Sequence, residues 1–327
     1  MRYGILGQGF GLYGYLPAIV DLAPLSIVTL ARYQDTLRSR PELAAFASLT
    51  TFVEHRAEVL ARCDTLVVAM RPQDQETLIE EILACGWRGT IILEKPVTRT
   101  PAHAAALIER LIAADLMFSV GFSLMETSWA RELLRLCAVT LPGSLEFNWR
   151  FMAQHYKHDT PTWKRRVEDG GGCLRFYGIH LIAILARLAE WTPQTCSALD
   201  VDGEDAACQF TLLSGNSCAT VICNSRWEGA PRFEVTARES GKVLLSRSLT
   251  DPFTETPELP MQYPAQDRRV QYVNHILENA QGANPSSGVD YLRHIYLWRD
   301  LEHLRQTVLR RGPLLNKDML ENRKETA

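Results

Sequence analysis

The feature that most constrains this chain is a regular alternation of apolar, strand-like runs with helix-like stretches over its first 120 residues. The runs are "RYGILG" (2–7), "LSIVTLAR" (25–32), "TTFV" (50–53), "DTLVVAM" (64–70), "GTIILEKP" (89–96) and "MFSVGF" (117–122). Helix-like segments fall between them at 12–22, 40–47, 55–61, 75–86 and 101–114. Strands joined through helices lie parallel, and the helices then cover both faces of the sheet. The fold class expected here is α/β, with a doubly wound parallel sheet.

After residue 122 the texture changes. A helix at 126–137 leads into "GSLEFNWRFMA" (143–153), which alternates like a half-buried strand. A glycine run and a helix at 173–189 follow, then strand-like segments at 206–213, 217–227, 231–238 and 242–247 with turn chemistry between them. A loop is expected at 251–266, helices at 267–280 and 289–310, and fraying over the last ~15 residues. Tyr291, Ile295, Trp298 and Leu301 recur at helical spacing and read as core. This half reads as an α+β domain with a large, mostly antiparallel open sheet. The division is 1–120 and 121–327, in keeping with 327 residues being too many for one ordinary core.

Composition narrows the functions. Hydrophobic residues make up 46% and charged residues 22%, as in a globular protein. A net charge of -3 gives no electrostatic footprint for nucleic acid. The chain opens on a strand pattern rather than an apolar leader, so a cytoplasmic location is expected. No apolar window of ~18 residues stands out, so no membrane span is expected. The cysteines at 63, 85, 137, 173, 196, 208, 218 and 223 form no CxxC pair or metal-ligand array and read as buried, reduced thiols.

The strongest local signal is "GILGQGFGLYGYLPAI". A strand ends at Leu6, and Gly7 and Gly9 precede a helix. Such a turn lets the backbone approach a pyrophosphate resting on the helix N-terminus. Gly7, Gly9, Phe10, Gly11 and Leu12 are therefore candidate dinucleotide contacts. The strict third glycine would stand at position 12, which is Leu12. At the end of the second strand, Ala31 and Arg32 occupy the place where an acid would bind a ribose 2′-hydroxyl, and no carboxylate occurs before Asp35. A small residue followed by a guanidinium suits a 2′-phosphate. NADP is thus expected in preference to NAD.

"ILEKPVTRT" adds Glu94, Lys95 and Pro96 after a buried strand. Taken with the glycine turn and with "GGGCLRFYGIHLI" (170–182), it makes the chain resemble the glucose-fructose oxidoreductase / inositol dehydrogenase / MocA family. The order and spacing agree over nearly the whole length. The resemblance implies a Rossmann domain and a C-terminal domain whose open sheet forms a homodimer or homotetramer. It also implies hydride transfer between a nicotinamide and a sugar or cyclic polyol. Lys95 becomes the group that meets the substrate oxygen, and a cis peptide before Pro96 is common in the family. Met70, Arg71 and Pro72, with Glu94 and Lys95, are expected along the cofactor.

Set against the family pattern GGGxLxDxGxHxxD, Gly170, Gly171, Gly172, Leu174, Gly178 and His180 match. The aspartate falls on Phe176 and the later acid on Ala183. His180 remains as a catalytic acid/base candidate beside Lys95. Tyr177 and Tyr156 are accessory candidates, with His155 and His158 as further donors. The family's "GFNxRF" reads "GFSLME" here, so the pocket becomes more apolar. Phe122, Met125, Trp163, Phe176 and Tyr177 are its expected lining. No metal ligand is expected.

The leading expectation is an NAD(P)-dependent oxidoreductase that reduces a carbonyl or imine on a small cyclic substrate. A sugar or polyol dehydrogenase is the alternative. A non-catalytic NAD(P)-binding sensor or scaffold is the alternative of another class, motivated by the lost aspartate.

Overall fold

The computed structural model describes residues 1–201, 203–254, 267–281 and 288–310. The expected loop at 251–266 lies largely outside these residues, as do the last seventeen positions, 311–327. Two compact units divide the chain. One comprises Met1–Glu132 and Pro252–Ile295, the other Leu133–Asp251 and the residues from Tyr296 onward. This differs from a single cut at 120/121, because the chain returns to its first unit after the second sheet is complete.

The first unit holds six strands: β1 (Arg2–Leu6), β2 (Ser26–Leu30), β3 (Thr50–Val53), β4 (Thr65–Val68), β5 (Thr90–Leu93) and β6 (Met117–Val120). All neighbouring pairs are parallel, in the order β3-β2-β1-β4-β5-β6. The four inner strands are buried nearly end to end, as expected where helices cover both faces, whereas edge strand β3 is exposed at Thr51. Strand order reverses between β1 and β4, and ligands of such sheets bind outside the carboxyl ends at that point.

Local chemistry sets the helix ends. Helix Pro72–Cys85 has proline in its first turn and ends at Gly86, whose φ of 67° is left-handed. Helix Pro101–Ala113 is capped by Thr100, which accepts from the His103 amide. The helix expected at 40–47 forms differently. Gln34–Ser39 is α-helical, Arg40 is extended, and Ala44–Leu49 is a 3₁₀ run. Pro41 disfavours a helical conformation at Arg40.

Helix Val270–Gln281 completes this unit. It packs on helix Leu16–Asp21 and on β5 and β6. Its buried side chains are Val270, Tyr272, Val273, Ile276, Leu277 and Ala280.

The second unit is built on β7 (Ser144–Arg150), β8 (Thr192–Val201), β9 (Glu204–Ser214), β10 (Ser217–Asn224), β11 (Arg232–Glu239) and β12 (Lys242–Leu249). Their order is β12-β11-β7-β10-β9-β8. Only β7 and β10 pair in parallel. Strand β8 was not legible, because "TPQTCSALDV" contains a proline and little alternation. It lies at the sheet edge, where proline is tolerated. Helix Ile179–Leu188 is apolar on every side and buried through Ala186.

One expectation is corrected here. Val167–Leu188 is long and apolar enough, by length and composition, to cross a membrane. In this fold 78% of its most apolar stretch is buried, as in the core helix of a globular unit. Six of the eight cysteines are buried as expected, whereas Cys85 is exposed and Cys218 half-buried.

Candidate active site

The turn after β1 shows why its glycines are needed. Gly7 has φ 149°, and a Cβ there would run into the Ala69 carbonyl at the end of β4. Gly9 is exposed, and a Cβ there would meet nothing within 4 Å. This leaves open room over the backbone where a pyrophosphate would rest. Helical structure begins at Gly11, so the residues fit a dinucleotide phosphate at this place.

Leu12 is fully buried. Its amide donates to the Gly9 carbonyl at 2.9 Å, so it serves the turn through backbone and core. The close packing of helix on strand is supplied by Gly11 instead. A Cβ there would stand 3.3 Å from Ala69 Cβ and from Ile5 Cγ2. The first helical turn, Gly11–Tyr15, is a wide π turn.

Phe10 is half-buried. The Arg269 guanidinium lies 4.5 Å from its ring centre and is held by Asp267 through Nε (2.9 Å) and Nη2 (2.7 Å). Nothing in the sequence pointed to Arg269, which reaches this turn from a segment more than 250 residues later.

At the end of β2, Ala31–Tyr33 forms a 3₁₀ turn. Arg32 is exposed, and its Nη2 donates to Tyr33 Oη at 3.2 Å. After β4, Met70 is half-buried, Arg71 is exposed at the N-cap of helix Pro72–Cys85, and Pro72 is buried in its first turn.

The Glu94-Lys95-Pro96 segment leaves the carboxyl end of β5. The Lys95–Pro96 bond is cis. Glu94 is buried, and Tyr15 Oη donates to its Oε1 at 2.8 Å. Burial raises the Glu94 carboxyl, while the neighbouring Lys95 ammonium pulls it back down. Lys95 is half-buried.

Gln75, which the sequence reading missed, fixes this segment on both sides of Lys95. Its Nε2 donates to the carbonyls of Glu94 (2.8 Å) and Val97 (2.9 Å), and its Oε1 accepts from the Glu94 amide (3.1 Å). The Gln75 side chain is fully buried. A glutamine beginning an amphipathic helix gives no sign of this in sequence.

Also in the first unit, Phe122 is buried edge-on against the His294 ring at 4.8 Å. Met125 lies half-buried in the turn Ser123–Glu126. Burial holds His294 neutral, with its pKa pushed down to about 3.

In the second unit, the glycine run threads a crowded place. A Cβ on Gly171 would strike the Trp163–Lys164 backbone. Gly172 has φ 89°, and a Cβ there would stand 2.7 Å from Asp205 Oδ2. The helix that follows presents the predicted aromatic residues as one cluster. Phe176 meets Trp163 at 5.3 Å and Tyr177 at 4.8 Å, both edge-on. Lys164 Nζ lies 4.9 Å over the Phe176 ring, so an aromatic–cation pair occupies the position of the family acid. Tyr177 also meets Phe151 at 4.8 Å and stacks with His155 at 6.2 Å. His155 in turn lies 4.5 Å from Tyr156. His158 points outward to Gln154.

His180 is buried on its apolar helix, 4% exposed. Arg175, one turn earlier, faces elsewhere. Its Nε and Nη2 bind Glu302 at 2.6 and 3.2 Å, and Glu302 is shared with Trp298 Nε1. Arg305 joins Asp205 at 2.8 Å. This buried network ties the glycine turn to the last described helix, Gly288–Arg310.

Thus Trp163, Phe176, Tyr177 and Tyr156 are brought together within the second unit. Phe122 and Met125 belong to the first. Among the described residues, no group of three or more His, Cys, Asp or Glu could hold a metal ion.

Residues 1–122 match the profile of the GFO_IDH_MocA oxidoreductase family, described by its NAD-binding Rossmann fold. No curated protein sequence matches the chain. Solved structures share the fold. An oxidoreductase from Agrobacterium radiobacter in complex with NAD+, L-tartaric acid and magnesium is 15% identical, with a TM-score of 0.75 over 94% of this chain and 96% of that one. A myo-inositol dehydrogenase from Corynebacterium glutamicum is 16% identical, with a TM-score of 0.70 over 94% and 97%. The WlbA dehydrogenase from Bordetella pertussis, in complex with NADH and UDP-GlcNAcA, is 14% identical, with a TM-score of 0.72 over 93% and 96%. What the comparisons show is therefore that residues 1–122 match the NAD-binding Rossmann fold of the Gfo/Idh/MocA oxidoreductase family.

Proposed function

We propose that this NAD-binding oxidoreductase transfers hydride between a nicotinamide and a small cyclic substrate, in the direction of reducing a carbonyl or imine. The observation that carries the reading is Lys95, held at the carboxyl end of β5 by Gln75 bonds to its flanking residues. The nicotinamide supplies the hydride. As the new C–H bond forms, the carbonyl π pair moves onto oxygen, and Lys95 Nζ gives that oxygen its proton. His180 is the second acid–base group. With Phe176 in the place of the family aspartate, no carboxylate stands one turn before it to draw a proton from an alcohol. This favours reduction over oxidation of a polyol hydroxyl.

Lys95→Ala is expected to lower kcat/KM by roughly 10²–10⁴ while leaving cofactor affinity within about twofold. Steady-state kinetics on a carbonyl and imine panel, with cofactor titrated separately, checks this. A variant that keeps full turnover sinks the assignment. Oxidation of inositol and sugars in the same assay with no reduction would instead favour the polyol dehydrogenase alternative.

For the cofactor we propose NADP over NAD, on the support of exposed Arg32 and small Ala31 with no acid beside them. NADPH should bind about tenfold more tightly than NADH, and Arg32→Ala should remove most of that difference. Tighter NADH binding by the unaltered chain overturns the preference. We also propose a homodimer or homotetramer through the polar face of the second sheet, where Asn148 meets Glu234 and Arg238 meets Glu146.

A further inference from the structure

His155 and Tyr156 lie on the single-turn helix Gln154–Lys157, shortly after β7. His155 is only 7% exposed. Its Nε2 is buried and meets no hydrogen-bond partner among the described residues, and the same is true of Tyr156 Oη. A buried donor or acceptor left unmet costs about 1–3 kcal/mol. Such groups are few in folded proteins, and each calls for a reason. Here two stand on adjacent residues, 4.5 Å apart between ring centres, at one end of the Trp163–Phe176–Tyr177 cluster.

Cations and acids both surround them. Arg165 lies 4.9 Å and Arg226 5.4 Å over the Tyr156 ring, and Lys164 lies over Phe176. Each acid nearby is held by an arginine: Asp159 and Glu204 by Arg165 at 2.9 Å, and Asp205 by Arg305 at 2.8 Å. A cation on the face of a phenol ring strengthens its hydroxyl as a donor toward a negative ligand.

We propose that His155 Nε2 and Tyr156 Oη form a carboxylate subsite for a cyclic substrate whose ring packs against Phe176, Tyr177 and Trp163. The substrate class is then a ring acid such as a uronate, rather than a neutral polyol. This rests on the reading of the second unit as the substrate domain. Burial raises the Tyr156 hydroxyl to about 12, so it stays a donor across the physiological range. Burial, and then Lys164 and Arg165, lower His155 to about 4, so the ring is neutral and can carry its hydrogen on Nε2.

The test is calorimetric titration of the full chain, saturated with NADPH, using D-glucuronate and D-glucose as probes. Glucuronate is expected to bind at least tenfold more tightly. Tyr156→Phe should reduce that gap to about twofold without changing glucose or NADPH affinity. Because the lost hydroxyl has no partner in the fold, the variant should melt at the same temperature or higher. A purely structural tyrosine would show the reverse, with lower melting and an unchanged gap. The proposal is overturned if glucuronate binds no better than glucose, if neither binds, or if Tyr156→Phe keeps the preference. Repeating the titration without cofactor separates the readings. Failure of NADPH and NADH binding counts against the hydride-transfer function, whereas an absent uronate preference counts against this subsite alone.

Discussion

His294 is a residue whose burial has a measurable consequence. It is 5% exposed, packed edge-on to Phe122, and its pKa is depressed to about 3 by burial. Unfolded, it titrates near 6.5. Between pH 6.5 and 3 the unfolded chain therefore takes up a proton that the folded chain refuses. Stability is complete above the unfolded value and falls as pH drops through this window. The loss expected at pH 5 is roughly 2 kcal/mol. His155, lowered to about 4, acts in the same direction in the other unit. Urea midpoints at pH 7 and pH 5 for the unaltered chain and for His294→Gln check this. The variant should show the shallower pH dependence, and equal slopes would contradict the assignment. Residues such as His294, Arg269 and Gln75 were not legible in the sequence, because their roles are set by neighbours far away in the chain. Gly7 was legible because a glycine turn between strand and helix is a local pattern, although the Ala69 carbonyl that demands it comes from a distant strand, and Lys95 was singled out by the resemblance its Glu-Lys-Pro segment carries.

Elements were read better than their joints. The strands of the first sheet were placed to within a few residues, since a buried parallel strand is an unbroken apolar run. What the pattern does not contain is the bracing of the loop after β5, where one buried amide serves the backbone on both sides of Lys95. Gln75→Leu leaves the Glu94 and Val97 carbonyls without that partner, while the Glu94 amide keeps its bond to the Val68 carbonyl at 3.0 Å. At about 1–3 kcal/mol for a buried unmet group, softened by relaxation, a loss of roughly 2–4 kcal/mol in unfolding free energy is expected. Because the lysine loses its backbone frame, kcat should fall more than cofactor affinity. Chemical denaturation and steady-state kinetics on one preparation check both. A variant with unchanged stability would show that water replaces the amide at no cost. The glycine run before His180 carries a similar lesson. Its match to a family pattern was visible, but its physical cause, the closeness of the Trp163–Lys164 backbone and of Asp205, was not.

At the scale of the whole molecule, the discontinuous first unit makes a prediction that a linear reading of domains does not. The alternating pattern ends near residue 120, which suggests a self-sufficient fragment there. The structure instead completes the sheet's cover with helix Val270–Gln281, packed on helix Leu16–Asp21 and on β5 and β6. Its apolar side chains, with Tyr272 and Val273 almost wholly buried, contribute roughly 10 kcal/mol by transfer bookkeeping, an upper bound. That is comparable to the entire 5–15 kcal/mol stability of an ordinary domain. Trp129 Nε1 also donates to the Pro252 carbonyl at 3.0 Å, and the fragment loses that bond as well. A fragment of residues 1–132 should therefore lack a cooperative thermal transition, expose apolar surface and fail to bind dinucleotide. Joining residues 252–295 to it through a flexible linker should restore both the transition and the binding. Circular dichroism melts and NADPH fluorescence titration of the two fragments decide the matter. Cooperative melting and full cofactor affinity in residues 1–132 alone would mean that the returning helix is an attachment to a finished domain rather than part of its core.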